Sequence, residues 1–192
     1  SVKRGDWAKC PSFSYRIAPI SELSGKTMGI IGFGNIGLRV ATIARAFGMT
    51  VLTTSRRNLP EWAERVKLDE LLSRSHVVSL NSALTPATHH IINEETLMLM
   101  RPDAILINTS RGALVDEGAL AAALERGQIA AAAVDVLEEE PPCSGSPLID
   151  TAQSVITPHV AWQSTEARRR LLAISVENLR AFLAGQPQNV VS

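Results

Sequence analysis

Short apolar runs recur along the chain at a nearly constant interval. They are apolar throughout rather than alternating with polar residues, which is typical of strands that are covered on both faces of a sheet. The runs therefore predict six strands, at residues 28–31, 51–54, 77–80, 104–107, 131–134 and 155–156.

Most of the intervals between these runs carry a helical pattern. The clearest predicted helix spans residues 35–47, where apolar residues recur at a helical spacing, and Gly48 ends it. These residues are Ile36, Val40, Ile43, Ala44 and Phe47. Its spacing predicts one apolar stripe that packs on the sheet.

Two further helices have recognisable ends. Leu120 and Leu124 mark one helix, which Asp116 opens as an N-cap and Gly127 closes. The last helix spans residues 164–184, with an apolar stripe of Leu172, Val176, Leu179 and Leu183.

The alternation of short strands with amphipathic helices predicts the fold class. Parallel strands joined by right-handed helical crossovers give an α/β, Rossmann-type, doubly wound sheet in three layers, αβα.

Composition narrows the function. The 19 basic and 19 acidic residues cancel and only 4% of the residues are aromatic, which argues against a nucleic-acid partner. Cys10 and Cys143 lack metal-ligand spacing, so we expect no metal site and two reduced thiols. We expect no membrane span and no signal peptide, and hence a cytoplasmic protein.

A glycine-rich turn follows the first strand. Gly32, Gly34 and Gly37 form the pattern G-x-G-x-x-G at the start of the first helix. Gly32 would make the tight turn, Gly34 would admit a pyrophosphate and Gly37 would let helix and strand pack closely. The pattern predicts a dinucleotide whose phosphates meet the free amides of the helix start. A glycine turn without a ligand is the alternative.

The second strand ends without the acid that usually binds the ribose 2′-hydroxyl. No Asp or Glu occurs between Gly37 and Glu61, and the strand leads instead into Ser55, Arg56 and Arg57. A hydroxyl and two guanidiniums suit a 2′-phosphate, so we expect NADP(H) to be preferred, with NAD(H) possible. Solvated loop arginines are the alternative.

Polar segments also follow three later strands, on the edge where ligands bind in such sheets. They are residues 108–112, residues 135–136 with Glu140 downstream, and residues 157–159. Singly, Arg111 could form an ion pair, Glu140 could belong to a solvated acidic run and His159 could cap a helix. Their joint appearance at consecutive strand ends predicts one shared site.

Taken together, these motifs resemble the D-isomer-specific 2-hydroxyacid dehydrogenases. Within that family they are most similar to the glycerate dehydrogenases, also named hydroxypyruvate or glyoxylate reductases, as Trp162, residues 166–168 and the acid-free turn indicate. The matching stretches are residues 25–37, 84–88, 104–116, 135–142 and 157–159.

The resemblance implies a catalytic trio. Protonated His159 would donate a proton to the substrate carbonyl oxygen, Glu140 would hold the imidazole, and Arg111 would bind the substrate carboxylate. It also implies cofactor contacts: Asn35 and Ile36 at the pyrophosphate, and Thr88, Thr109 and Asp135 toward the nicotinamide. Ser110, Arg111, His159 and Ala161 complete the expected contact set. The family usually has His-x-Pro where this chain has residues 81–83.

The resemblance also implies a domain organisation and partners. Residues 1–24 would lead out of a first, substrate-binding lobe that is absent from this chain, residues 25–163 would bind the dinucleotide, and residues 164–192 would cross back to that lobe. We expect a small 2-keto or 2-hydroxy acid as substrate and a homodimer. Two alternatives remain open: another 2-hydroxyacid dehydrogenase of the phosphoglycerate or lactate type, and a non-catalytic module that senses NAD(P)H or binds a partner.

Overall fold

The computed structural model describes residues 1–17 and 20–190. Within them lie seven strands, five α-helices and three short 3-10 helices, the latter at Val2–Arg4, Trp7–Lys9 and Gly112–Leu114. The larger elements are, in order, β1 (Thr27–Ile31), α1 (Asn35–Ala46), β2 (Thr50–Thr53), β3 (Ala63–Arg65), α2 (Leu68–Arg74), β4 (Val77–Leu80), α3 (Glu94–Met98), β5 (Ile105–Asn108), α4 (Glu117–Glu125), β6 (Ala131–Val134), β7 (Ser154–Ile156) and α5 (Thr165–Leu183).

All strand pairs are parallel, and the strand order is β3-β2-β1-β4-β5-β6-β7. The order reverses between β1 and β4, which is the crevice where ligands bind in open α/β sheets. Two hydrophobic cores flank the sheet, because Ile30 packs in one and Ile31 in the other. The predicted three-layer, Rossmann-type fold is confirmed.

The prediction of six strands was wrong by one. All six predicted strands are present within one residue of their expected ends, and β3 is the seventh. It pairs with β2 at the sheet edge, and Ala63 is its one buried residue. A three-residue edge strand with one buried side chain leaves no apolar run to detect.

The predicted apolar stripe of α1 was correct at Ala44, which is buried, and at Val40, which packs against the core, but wrong at its other three residues. Its buried residues are Gly37, Ala41 and Ala44, whereas Ile36, Ile43 and Phe47 are exposed. The helix lies close to the sheet through small residues, and its larger apolar side chains face outward. Phe47 caps the helix rather than belonging to it.

The other two predicted helices are confirmed. Asp116 caps α4, since its side chain accepts a hydrogen bond from the amide of Ala119 at 2.9 Å. Ser164 caps α5 in the same way through the amide of Ala167. No residue of α5 is buried, and all four residues of its predicted stripe are exposed.

Among residues 1–17 and 20–190, no helix is long and apolar enough to span a membrane. Of residues 1–24, those that the structure describes include two of the 3-10 helices and no buried residue. The three predicted segment boundaries stay a prediction.

Candidate active site

The glycine turn has the geometry that the sequence predicts. Gly32 has φ +94°, and a Cβ atom there would lie 2.4 Å from the backbone of Asn81 in the loop after β4. A Cβ on Gly37 would lie 2.1 Å from the carbonyl oxygen of Gly32, so α1 packs directly on the turn. Around Gly34, by contrast, a Cβ would meet nothing within 4 Å. The turn therefore leaves open space for a group to approach its backbone.

The start of α1 can hold an anion. Gly34 caps the helix without a side-chain hydrogen bond, and the first turn contains no acid. The amides of Asn35 and Ile36 therefore have no side-chain acceptor from the cap, and both residues are exposed. Free amides at the positive end of a helix fit the pyrophosphate of a dinucleotide.

Side-chain hydrogen bonds fix the loop after β2. The buried hydroxyl of Thr53 donates to the carbonyl of Ile30 at 2.8 Å and accepts from the amide of Ser55 at 3.2 Å. The Ser55 hydroxyl accepts from the amide of Arg57 at 3.2 Å. Within residues 1–17 and 20–190 the Ser55 hydroxyl donates to no acceptor, so its hydrogen is available to a ligand.

The two arginines of this loop line different hollows. Arg56 lines a hollow of about 820 Å³ together with Arg65 and Lys67, which sequence analysis missed because they belong to and follow the undetected β3. Arg57 lines a hollow of about 380 Å³ beside Gly34. One cation thus faces the end of β2 and the other faces the glycine turn.

His159 and Glu140 are in direct contact at the carboxyl ends of β6 and β7. His159 Nδ1 lies 2.6 Å from Glu140 Oε2, and Glu140 Oε1 accepts the amide hydrogen of Leu137 at 2.9 Å. Both carboxylate oxygens are therefore engaged. Since Nδ1 faces the carboxylate, Nε2 is the ring nitrogen left for a substrate.

Asp135 holds the segment that carries His159. Its buried carboxylate accepts hydrogen bonds from Thr157 Oγ1 at 2.5 Å, from the Val160 amide at 2.9 Å and from the Ala161 amide at 2.8 Å. Its carbonyl accepts the His159 amide at 2.8 Å, and His159 has φ +52°. This conformation is uncommon for a residue with a side chain, and these bonds stabilise it.

Burial raises the pKa of Asp135, but the hydrogen bonds from Thr157, Ala161 and Val160 and the charge of His159 outweigh it, so the pKa lies below its usual value. The carboxylate is ionised at neutral pH. Oδ2 accepts one hydrogen bond and Oδ1 two, so Oδ2 can accept one more, which suits the expected carboxamide contact.

Arg111 stands at the end of the neighbouring strand, β5, whose Asn108 pairs with Val134 of β6. It is exposed, and its Nη1 donates to the Ser110 carbonyl at 2.6 Å. Among the described residues it makes no hydrogen bond or ion pair with Glu140 or with His159. Of the three predicted catalytic residues, Glu140 and His159 are therefore in contact. Arg111 lies at the same sheet edge as this pair.

The remaining predicted contact residues lie at neighbouring loops. Thr88 donates its hydroxyl hydrogen to the Ala83 carbonyl at 2.8 Å, so its hydroxyl supports the loop after β4. Ser110 Oγ donates to the Leu80 carbonyl at 3.0 Å and ties the ends of β4 and β5 together. Thr109 and Ala161 are exposed at this edge. Their roles toward a cofactor stay predictions.

A hollow of about 670 Å³ adjoins the His159–Glu140 pair. Apolar side chains line much of it, including Leu137, Ile149 and Ile156. A largely apolar hollow with a few convergent polar groups is typical of a small-molecule site.

His89, His90 and Glu138 place possible metal ligands within 4.8 Å of one another. The two imidazole rings are stacked, with centroids 4.0 Å apart and planes 29° apart. Nearly parallel rings do not direct two nitrogen lone pairs at one ion. The expected absence of a metal site stays a prediction.

Comparison with known proteins identifies the family. Residues 1–161 match the family model described as D-isomer specific 2-hydroxyacid dehydrogenase, NAD binding domain. The glycerate dehydrogenase of Methylorubrum extorquens is 46% identical to this chain and the hydroxypyruvate reductase of Blautia hydrogenotrophica is 43% identical. Each alignment covers 100% of this chain, and 60% and 61% of those proteins respectively.

Solved structures agree. An acyclic imino acid reductase in complex with NADPH and D-Arg has a TM-score of 0.87 and 37% identity, covering 100% of this chain and 61% of that one. The D-lactate dehydrogenase of Lactobacillus jensenii with NAD+ has a TM-score of 0.85 and 32% identity, over 100% and 61%. This chain spans about 60% of the length of these relatives. It belongs to the D-isomer specific 2-hydroxyacid dehydrogenase family and matches the NAD-binding domain of that family.

Proposed function

We propose that this chain is the NADP(H)-binding part of an oxidoreductase that reduces a small 2-keto acid, with glyoxylate or hydroxypyruvate as substrate. The observation that carries the proposal is the 2.6 Å contact between His159 and Glu140, at the sheet edge that the glycine turn also faces. A module that only senses the nucleotide has no need of a general acid held in this way.

The proton is delivered by His159. When bound, a reduced nicotinamide would supply the hydride to the 2-keto carbon, and the developing negative charge on the carbonyl oxygen would need a proton. His159 donates from Nε2 to that oxygen, because Nδ1 is held by Glu140. Glu140 keeps the ring oriented, because its Oε2 contacts Nδ1 and its Oε1 accepts the amide hydrogen of Leu137.

Arg111 binds the substrate. To do so, its guanidinium turns from the Ser110 carbonyl toward the carboxylate of the 2-keto acid, with which it can form two parallel hydrogen bonds. The same positive charge polarises the neighbouring ketone. Its side chain is exposed, so this reorientation breaks one hydrogen bond and no packing.

The preference for NADP(H) rests on charge. The loop after β2 contains Ser55, Arg56 and Arg57 and no acid, and Lys67 lines the same hollow as Arg56. A 2′-phosphate would meet cations there, and no carboxylate of this loop would repel it. A similar structure contains NADPH and another contains NAD+, so the preference is argued from these side chains.

The substrate proposal follows the relatives. The glycerate dehydrogenase and hydroxypyruvate reductase align over the whole of this chain at 46% and 43% identity. The phosphoglycerate alternative has weaker support, since a D-3-phosphoglycerate dehydrogenase is 40% identical and this chain covers 37% of it. Small 2-keto acids are therefore the favoured substrates.

The test is a turnover and binding assay on matched variants. NADPH oxidation with glyoxylate and with hydroxypyruvate is measured for the chain alone and for the chain joined to a relative's first lobe. His159→Ala should lower kcat by about 10²–10⁴-fold with the NADPH Kd nearly unchanged, because it removes a general acid and no cofactor phosphate contact. His89→Ala, which removes an exposed imidazole from outside the pair, is the control. Normal turnover in His159→Ala would refute the proposal.

We further propose a homodimer in the cytoplasm. Ile36 and Ile43 on α1 and Phe47 at its C-cap are exposed, and an apolar face of this kind supports association with a second copy. The free thiols of Cys10 and Cys143 are compatible with a reducing compartment.

A further inference from the structure

Arg65 is bonded to the loop that carries the expected 2′-phosphate ligands. From β3, its Nε donates to the Ser55 carbonyl at 2.8 Å and its Nη2 donates to the Arg57 carbonyl at 2.7 Å. Both acceptors belong to the backbone of the loop after β2. One guanidinium therefore spans two residues of that loop with its planar fork.

These two hydrogen bonds lie just beyond the point where the pairing of β2 with β3 ends. The last residue pair between β2 and β3 joins Thr53 to Arg65, and the Val66 amide makes the last backbone bond, to the Thr53 carbonyl at 3.0 Å. Beyond Thr53 the loop carbonyls have no strand beside them. The Arg65 side chain donates hydrogen bonds to the carbonyls of Ser55 and Arg57, just beyond the last carbonyl that a backbone amide of the neighbouring strand reaches.

The loop is thus fixed on both sides of Arg56. The amides of Ser55 and Arg57 are held by side-chain hydroxyls, and their carbonyls are held by Arg65. Arg56 lies between them and lines the hollow of about 820 Å³. With its neighbours anchored, Arg56 loses less conformational freedom when it binds an anion.

Charge in this hollow is compatible with a phosphate. Lys67 adds a cation, while Asp69 and Glu70 also line the hollow. The Glu70 carboxylate is paired with Arg74 at 2.5 Å, and Asp69 accepts the Glu70 amide hydrogen at 2.9 Å. Arg74 thus offsets the charge of Glu70, while Asp69 keeps its negative charge and is outnumbered in the hollow by Arg56, Arg65 and Lys67.

We propose that Arg65 is a positioning residue for the adenosine 2′-phosphate: it holds the Ser55–Arg57 loop in the conformation that presents Ser55 and Arg56 to the phosphate. This proposal rests on the proposed NADP(H) preference. It assigns Arg65 an action through the loop backbone rather than through its charge alone.

Two substitutions separate geometry from charge. Arg65→Lys keeps the positive charge but cannot make both directed bonds, and Arg65→Met removes both the bonds and the charge. Arg126→Met is the matched control, because Arg126 is an exposed arginine at the C-terminal end of α4 and lines neither the loop nor the hollow. The Kd values of NADPH and NADH are measured for the wild type and all three variants by calorimetry.

Both Arg65 variants lose hydrogen bonds from a charged donor to the loop. The Kd of NADPH should therefore rise by about tenfold in each variant, whereas the Kd of NADH should change by less than about threefold. Arg126→Met should change neither Kd. NADPH affinity of wild-type strength in Arg65→Lys would overturn the positioning role, because charge alone would then suffice.

Hydrogen–deuterium exchange of residues 54–58 in the unliganded chain gives a second readout, which does not depend on cofactor preference. Exchange should accelerate by about tenfold in both Arg65 variants and remain unchanged in Arg126→Met. Unchanged exchange in the Arg65 variants would overturn the proposal. Equal wild-type affinities for NADPH and NADH, together with accelerated exchange, would instead refute the NADP(H) preference and leave the loop anchoring supported.

Discussion

The substitution Asp135→Asn tests how strongly the fold depends on one buried carboxylate. Asp135 accepts hydrogen bonds from Thr157, Val160 and Ala161, and all three partners are donors. An asparagine offers one acceptor oxygen and one amide that is itself a donor. If the asparagine oxygen keeps the hydrogen bonds from Thr157 and Val160, its NH2 group faces the Ala161 amide. Two hydrogen-bond donors then oppose each other.

The free-energy cost has two parts. An unpaired buried donor costs about 1–3 kcal/mol. The two surviving bonds change from charge-assisted to neutral, which roughly halves their strength and adds about 1 kcal/mol. Asp135→Asn should therefore lower the free energy of unfolding by about 2–4 kcal/mol, which is a large fraction of the roughly 5–15 kcal/mol that stabilises a typical domain.

Urea unfolding at pH 7, followed by circular dichroism, measures this cost as a fall in the midpoint at constant slope. Asp150→Asn is the matched control, because Asp150 is an exposed aspartate in a nearby loop. A midpoint for Asp135→Asn that equals that of the control would refute the account of this network.

The cost should depend on pH with a defined sign. The pKa of Asp135 is lowered in the folded protein, so its ionised form stabilises the fold above the unfolded value of about 3.9, and that contribution is lost as pH falls through the folded pKa. The difference between wild type and Asp135→Asn should therefore shrink below about pH 4. A difference that grew on acidification would contradict the assigned pKa direction.

Three further predictions concern other parts of the chain. Gly37→Ala places a Cβ 2.1 Å from the Gly32 carbonyl oxygen, so it should destabilise the fold by about 1–3 kcal/mol and weaken NADPH and NADH alike; a neutral result in thermal unfolding and calorimetry would contradict the close packing. Burial, and then two neighbouring cations, lower the pKa of His76. Its Nδ1 accepts the Thr27 amide hydrogen, which requires a neutral ring. The free energy of unfolding should therefore fall as the pH drops below about 6.5. His76→Asn should remove that part of the pH dependence in urea titrations, and an unchanged dependence would refute it. Phe47→Asp should shift the sedimentation equilibrium toward monomer with the fold retained, and a variant that stays as associated as wild type would remove α1 from the dimer interface.

The parts of the fold that follow from short-range rules were predictable. The glycine turn demands particular φ angles and a close approach, and Gly32 and Gly37 show both. Strand ends were predictable because buried parallel strands are continuous apolar runs. The proximity of Glu140 and His159 was predictable because Glu140 follows β6, His159 follows β7, and the carboxyl ends of these neighbouring strands lie at the same sheet edge.

Other features depend on tertiary contacts that no local pattern encodes. The buried face of α1 is set by how closely the helix approaches the sheet, so the small Ala41 is buried while Ile43 is exposed. Arg65 belongs to an edge strand without an apolar run, and its bonds reach a loop ten residues earlier in the chain. The direction of the Arg111 guanidinium depends on a rotamer, which the sequence motif does not specify.

The central claim is that phosphates bind the start of α1 while the reactive ring lies beside the His159–Glu140 pair. A crystal structure of this chain with NADPH tests it most directly. We expect the pyrophosphate on the amides of Asn35 and Ile36, and the nicotinamide C4 on the side of the cleft that His159 Nε2 faces. A nucleotide bound elsewhere, or a nicotinamide turned away from His159, would contradict it.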